Sequence, residues 1–175
     1  MPLSQKQTGV LKGMIAALVL SALALGAGAF RFPADWLPED TGAGRAIFAA
    51  RTLLFLSFWL LVTIGTLARH RFFTPQDIDG SGLTSGTDTA RVLQAVLQNT
   101  LEQTVLAALV YTSFAVLAPV ALLGALPVAA GLFWLGRALF WHGYARGAAG
   151  RALGFALTFY STVLLFLSTV ILTLI

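Results

Sequence analysis

A group of polar residues lies at the start of a long apolar segment near the middle of this sequence. Arg91, Gln94, Gln98 and Glu102 recur at intervals of three or four residues, and Asn99 lies beside them. At about 100° per residue, these side chains fall within one sector of an α-helix. Their guanidinium, amide and carboxylate groups could bind a small polar ligand or hold a neighbouring helix. The spacing therefore predicts a helix with one polar face.

Glu102 is the carboxylate of this face, and no formally charged residue follows it until Arg137. A charged side chain at bilayer depth costs about 2.5 to 3.5 kcal/mol on insertion scales, so it normally faces a partner or a water-filled site. Two interpretations stay open at this stage. Glu102 either contacts a ligand or forms an ion pair with an arginine that packs helices together.

The composition is that of an integral membrane protein. The 175 residues are 58% hydrophobic and only 10% charged, whereas about a quarter of the residues in soluble domains are charged. The length suits four or five spanning helices of about 20 apolar residues each. Because the sequence has no cysteine, any thiol chemistry must come from a ligand. The excess of arginine over lysine is typical of GC-rich bacterial genomes, so we expect a bacterial inner membrane.

Apolar runs predict five spanning helices separated by segments rich in Pro, Gly and Asp. The predicted helices cover residues 13–30, 46–68, about 90 to 119, 127–144, and 151 to the C-terminus. The uncharged run 103–136 would extend about 51 Å as one helix, well beyond a bilayer core of about 30 Å. It must therefore contain a turn, which Pro119, Gly124 and Pro127 place at residues 119–127.

The first apolar run admits two interpretations. Ala27-Gly28-Ala29 resembles the small-residue cleavage site of a secretory signal peptide. The uncharged run 13–30 is longer than the usual 7 to 15 residues of a signal core, which favours a retained spanning helix.

Positive residues predict the orientation and bring the polar side chains together. Lys and Arg in short loops favour the cytoplasm, so the N-terminus should lie inside and the C-terminus outside. The net charge of +4 is spread over helix ends and does not form a tract for nucleic acid. With this topology one group of polar residues gathers at the cytoplasmic ends of helices two to five: Arg69, Arg71, Arg91, Asn99, Glu102, Arg137, Tyr144, Arg146 and Arg151.

This group fits a small polyanionic ligand that carries an ammonium group. Arginine forks bind carboxylates in a bidentate manner, and Glu102 can accept the ammonium. The alternative is that the arginines set the topology and anchor helix ends without binding a ligand.

One loop pattern suggests a metal site, but weakly. Asp77, Asp79, Ser81, Gly82 and Asp88 match the first, third, fifth, sixth and twelfth positions of an EF-hand loop. A proline at position 75 disrupts the entering helix, and no amphipathic helix pair is evident. We interpret the segment as a solvated turn with a helix cap and expect no metal.

Three separated segments carry a family resemblance. They are Leu97–Glu102, then Arg137–Arg146 followed by Arg151, and Ala68–Arg71 followed by Pro75. These segments resemble the MAPEG family, the membrane-associated proteins in eicosanoid and glutathione metabolism, whose leukotriene C4 synthase branch has a similar Arg, Gly-Tyr-Ala-Arg, Arg spacing. The resemblance covers residues 46–175. It implies an all-α membrane protein with a MAPEG-like four-helix bundle, here preceded by an additional N-terminal transmembrane helix and outer loop in residues 1–45.

The resemblance also implies a function. Family members assemble as homotrimers and bind glutathione between protomers. Asn99, Glu102, Arg137 and Tyr144 match positions that contact glutathione, with Glu102 at its amino group. Arg151 matches the arginine that stabilises the glutathione thiolate and is the implied catalytic residue.

The first loop of the family adds two expected glutathione contacts, Arg69 and Arg71. On this reading the protein is a glutathione-dependent transferase or peroxidase. Its other substrate is a lipophilic electrophile or peroxide that enters from the membrane lipids.

Three departures from the family keep an alternative open. The chain has Val92 and Ala95 where family enzymes carry arginines, and Gln103 replaces an aromatic residue near the glutamate. Each lost charge-assisted hydrogen bond removes about 1.5 to 3 kcal/mol. The alternative is a non-catalytic MAPEG-like membrane protein that binds a lipid or another anionic ligand.

Overall fold

The computed structural model describes residues 3–175, and the regular structure within them is helical throughout. The long helices are α1 (Gln5–Arg31), α2 (Gly42–Phe73), α3 (Asp88–Leu117), α4 (Ala125–Tyr144) and α5 (Gly147–Leu174). All five are long and apolar enough to cross a membrane. The prediction of an all-α, multi-pass membrane protein is therefore confirmed.

Helix α2 is longer at both ends than the predicted 46–68. It begins after Thr41, whose side chain accepts a hydrogen bond from the backbone N–H of Gly44 and so satisfies one free donor of the first turn. It continues to Phe73 because no helix breaker occurs before Pro75. Arg69 and Arg71 consequently lie within the last turns of α2 and not after it.

Helix α5 also begins earlier than predicted, at Gly147 instead of near Arg151. The backbone turns sharply at Gly147, where φ is +82°, a conformation that glycine adopts without a steric penalty. The expected glycine-rich connection of residues 145–150 is thereby reduced to Ala145 and Arg146. Arg151 lies in the second turn of α5.

The predicted turn between α3 and α4 is confirmed. Helix α3 ends at Leu117, a short 3-10 helix covers Val120–Leu122, and α4 begins at Ala125. On the same side of the bundle, the Arg45 guanidinium donates hydrogen bonds to the carbonyl oxygens of Ala115 and Ala118 at 2.9 and 2.7 Å. Arg45 thus satisfies carbonyl groups at the C-terminal end of α3, which gives this arginine a structural role.

Glycines let α4 and α5 pack with their backbones in direct contact. A Cβ atom at Gly154 would lie 2.2 Å from the Phe140 backbone nitrogen, and one at Gly143 would lie 2.1 Å from the Gly150 carbonyl oxygen. Any larger residue at either position would separate the two helices. The close crossing brings the end of α4, with Tyr144, beside the start of α5, with Arg151.

Helix α1 packs against α5 as part of the bundle. Ala17 is fully buried and forms a small apolar cluster with Ala156 and Leu157 of α5. The other end of α1 approaches the turn before α4, where a Cβ atom at Gly124 would meet the Phe32 side chain at 2.2 Å. The first apolar run thus forms a helix that packs against α5 and the turn before α4.

The predicted topology can be tested with single thiols, because the sequence contains no cysteine. Gly82→Cys and Ala145→Cys lie in exposed connections at one end of the bundle, and Ala121→Cys lies in the exposed turn at the other end. A membrane-impermeant maleimide should label the first two from the cytoplasmic side and the third from the opposite side. Labelling of Gly82→Cys and Ala121→Cys from one side would contradict the α3–α4 hairpin.

Candidate functional site

A cavity of about 340 Å³ lies where α3 meets the end of α4 and the start of α5. We call it the Arg151 cavity. Three predicted site residues line it, namely Asn99, Tyr144 and Arg151. The Arg151 guanidinium lies over the Tyr144 ring, with its Cζ atom 4.3 Å from the ring centroid. The structure thus brings a cation, a phenol and an amide together in one concave site.

The rest of this cavity is apolar. Phe140 and Phe155 contribute aromatic walls, and Val10 and three alanines complete the lining: Ala95, Ala148 and Ala152. Neither ion pairs nor hydrogen bonds engage the Arg151 guanidinium within residues 3–175, and its side chain is only partly buried. The cavity therefore offers an anion a guanidinium group beside surfaces that suit an apolar partner.

Arg137 lies behind this cavity and holds one of its residues. Its side chain is buried, with 1% exposed, in the middle of the helix bundle. Its Nη1 atom donates a 2.8 Å hydrogen bond to Asn99 Oδ1, and Nε donates to Thr158 Oγ1 at 3.2 Å. The guanidinium also lies 4.5 Å from the centroid of the Phe140 ring. Arg137 does not line the cavity, so in this structure it positions the Asn99 amide from behind.

Glu102 is not brought to the Arg151 cavity. Its side chain is exposed on the outside of α3, where Oε1 accepts a 3.0 Å hydrogen bond from Gln98 Nε2. In the described part of the chain, no arginine forms an ion pair with it. At 1.5 Å per residue Glu102 lies about 21 Å from the start of α3 and about 22 Å from its end. A carboxylate therefore stands near the middle of a spanning helix on the surface of the chain.

Arg71 lines a second cavity of about 340 Å³, which we call the Arg71 cavity. It lies between the 80–86 loop and the polar face of α3, with Arg91 and Gln94 in its wall. Arg71 Nη2 donates a 3.0 Å hydrogen bond to Gln94 Oε1. Ala95 borders both the Arg71 cavity and the Arg151 cavity, which makes the two cavities neighbours across one small side chain.

Arg69 stands apart from both cavities. Its guanidinium lies 5.6 Å from the centroid of the Phe73 ring, one turn further along α2, and its side chain is exposed. The predicted cluster of polar residues thus divides into the Arg151 cavity with Arg137 behind it, the Arg71 cavity, and three exposed side chains: Arg69, Glu102 and Arg146.

The α2–α3 loop holds a buried carboxylate, Asp77, at a position predicted from the sequence to be part of a solvated turn. The Asp77 side chain is 1% exposed, and its Oδ2 atom lies 2.8 Å from His70 Nε2. Thr87, the N-cap of α3, donates its backbone N–H to Asp77 Oδ1 at 2.8 Å and its hydroxyl to Oδ2 at 2.7 Å. Asp77 therefore joins the end of α2 to the start of α3. The seven-residue interval between His70 and Asp77 was the available signal.

The acidic residues of the EF-hand-like pattern do not converge on a common site in the structure. Asp77 faces His70 and Thr87, whereas Asp88 is exposed and pairs with Arg91. Among the described residues, no group of three or more metal-ligating side chains comes together. The matched positions of the pattern thus lie in separate environments.

Hydrogen bonds hold the pKa of Asp77 below its ordinary value of 3.8. The largest effect comes from the Thr87 hydroxyl, and the Thr87 N–H and His70 lower the pKa further, whereas burial of the carboxylate opposes them. The stabilisation that the carboxylate gives to the loop is therefore complete above pH 3.8 and is lost as the pH falls through the lowered pKa. We expect Asp77→Asn to loosen the loop at neutral pH, because the amide cannot accept on both of its polar atoms. Faster hydrogen exchange of residues 78–87 would show this.

The exposed Asp79 provides the matched control, since Asp79→Asn removes a loop carboxylate outside this network. Equal exchange rates in Asp77→Asn and Asp79→Asn would contradict the anchoring role.

Comparison with known proteins gives one family assignment. Residues 46–171 match the model of the MAPEG family, a range that covers α3 and α4 and most of α2 and α5 and excludes α1. Comparison with curated proteins and with solved structures gave no significant match.

Proposed function

The chain belongs to the MAPEG family, and we propose that it is a glutathione-dependent transferase or peroxidase acting on lipophilic substrates in the membrane. The observation that carries this proposal is the Arg151 cavity, in which a guanidinium with no ion pair among the described residues stands beside a phenol and an anchored amide. The family match and the five spanning helices establish a multi-pass integral membrane protein. Its location in a bacterial inner membrane stays a prediction.

In the proposed reaction, Arg151 supports the thiolate of glutathione. A cation beside a thiol lowers the pKa of that thiol and raises the reactive fraction at neutral pH. Transfer then forms a bond between the sulfur and an electrophilic carbon of the co-substrate, whose leaving group departs with the bonding electron pair. Tyr144 holds the Arg151 guanidinium over its ring, and Asn99 presents an amide that Arg137 has already oriented. The arrangement reduces the number of side chains that must order on binding.

The Arg71 cavity supplies the second half of the proposed glutathione site. Family enzymes carry arginines at the positions of Val92 and Ala95, and here Arg71 reaches α3 from the end of α2 instead. Because the Arg71 and Arg151 cavities meet at Ala95, one extended ligand could place a carboxylate near Arg71 and its thiol near Arg151. Because the Ala95 side chain is only a methyl group, it leaves little protein between the two cavities.

Glu102 supports a homotrimeric assembly with the site closed by a neighbouring protomer. A carboxylate facing lipid near mid-helix costs about 2.5 to 3.5 kcal/mol, which favours covering it with protein.

The decisive experiment is a calorimetric titration of detergent-purified protein with glutathione, followed by turnover assays. Binding together with consumption of an aryl halide or a lipid hydroperoxide supports the proposal. S-methylglutathione is the control ligand, because it retains the tripeptide but cannot form a thiolate. It should bind without supporting turnover.

A non-catalytic ligand-binding protein is the second candidate. The absence of arginine at Val92 and Ala95 favours it, because those positions border the polar face of α3 and present no charge to a tripeptide. It predicts no glutathione binding at millimolar concentration, together with retention of an anionic lipid through purification. These two results together would contradict the enzymatic proposal and support a non-catalytic ligand-binding protein.

A further inference from the structure

Helix α1 lies outside the family match yet contributes to the Arg151 cavity. The MAPEG match covers residues 46–171, whereas α1 spans Gln5–Arg31. Val10 of α1 lines the cavity together with Asn99, Tyr144 and Arg151. The wall of the candidate site is thus built from three helices within the family match, α3, α4 and α5, and from one helix that the family model does not include.

Close contacts with α5 fix the position of Val10. A Cβ atom at the preceding Gly9 would lie 2.9 Å from the Ala149 Cβ atom, and one at Gly13 would lie 3.0 Å from the Leu153 backbone nitrogen. Both contacts are made by the first two turns of α5, which also carry Arg151. The same helix crossing therefore positions both Val10 and Arg151 in the cavity lining.

The cavity has a polar side and an apolar side, and Val10 belongs to the latter. Its polar groups come from α3, α4 and α5, through Asn99, Tyr144 and Arg151, whereas Val10 joins Phe140 and Phe155 among the apolar lining residues. A ligand whose anionic part meets Arg151 would place an attached or approaching apolar group against this second side.

We propose that α1 is a wall of the binding site and that Val10 contacts the lipophilic co-substrate, limiting its size. The identity of that co-substrate rests on the proposed glutathione chemistry. The position of Val10 in the lining of the Arg151 cavity does not rest on it, and it can be tested with no glutathione present.

Thiol labelling provides that test, because the chain has no cysteine of its own. Val10→Cys should place a thiol beside the Arg151 guanidinium, and lowering its pKa by one raises the thiolate fraction about tenfold. Leu11→Cys is the matched control, since the next residue of α1 faces away from the cavity and is 42% exposed. We expect sulfonatoethyl methanethiosulfonate to modify Val10→Cys about tenfold faster than Leu11→Cys. Adding Arg151→Gln should remove the advantage.

Equal labelling of the two positions, or an advantage that persists without Arg151, would overturn the inference. If labelling agrees but the parent consumes no glutathione with any electrophile, the proposed function fails while the placement of Val10 stands. With an active parent, Val10→Trp should lower kcat/KM for a bulky electrophile more than for a small aryl halide, and Val10→Ala should do the reverse. Leu11→Trp should leave the ratio of kcat/KM for the bulky electrophile to kcat/KM for the small one unchanged. If both Val10 variants also leave this ratio unchanged, Val10 does not select substrates by size.

Discussion

Replacing Glu102 with alanine should weaken the proposed trimer by about 3 to 5 kcal/mol for each interface, the cost of removing one partner from a buried ion pair. Glu102 lies near the middle of α3 on the outside of the chain, and its contact within the chain is a 3.0 Å hydrogen bond from Gln98. A neighbouring protomer that covers it must bring a cation, and Glu102→Ala would leave that cation buried without its partner. Native mass spectrometry of the purified protein should show a shift from trimer to monomer at micromolar concentration.

Two variants separate this explanation from a general loss of stability. Glu102→Gln keeps the side-chain size and the hydrogen bond with Gln98, so it should give an intermediate shift. Ser113→Ala removes a polar group from an exposed position on the same helix, where its hydroxyl donates only to the Leu109 carbonyl, and it should leave assembly unchanged. Identical oligomer distributions for Glu102→Ala and the parent would remove the argument for an interface at this face.

The existence and number of the helices could be predicted because membrane insertion depends on long apolar runs, which are visible in the sequence. The starts of α2 and α5 were less predictable. Thr41 acts as a cap before a glycine-rich turn, and Gly147 turns the chain with a positive φ while the helix resumes at once. Both starts depend on backbone geometry that the hydropathy of the flanking residues does not express.

The site was predictable where residues face the core of the chain and unpredictable where they face away. The core face of α3 is marked by Val96, Thr100, Gln103 and Ala107, which are all buried. Asn99 lies close enough to this face to accept a hydrogen bond from Arg137, so the structure brings these two members of the predicted cluster together. Glu102 precedes Gln103 by about 100° of rotation, which turns it to the outside. Helical periodicity groups residues by face, but it does not say which partner each face meets.

Replacing Arg151 with alanine should reduce glutathione turnover at neutral pH about 10- to 1000-fold, because a guanidinium at contact distance lowers the pKa of an acidic group by about one to three. Without it the thiol of bound glutathione has a higher pKa, so the thiolate absorbance should be lost at neutral pH and the rate should recover as the pH rises. The N-terminus of α5 would itself favour an anion by about 0.3 to 1 kcal/mol, which leaves part of the effect in place.

The matched control is Arg146→Ala. Arg146 is an exposed arginine five residues earlier that does not line the cavity, so its loss should not change the pH profile. Arg151→Lys separates charge from geometry: a lysine keeps the positive charge but loses the planar group that lies 4.3 Å from the Tyr144 ring centroid. Partial activity in Arg151→Lys indicates an electrostatic role, whereas activity as low as in Arg151→Ala indicates that the guanidinium must be held in place by the ring. If Arg151→Ala binds glutathione and conjugates an aryl halide as fast as the parent at neutral pH, Arg151 does not support the thiolate.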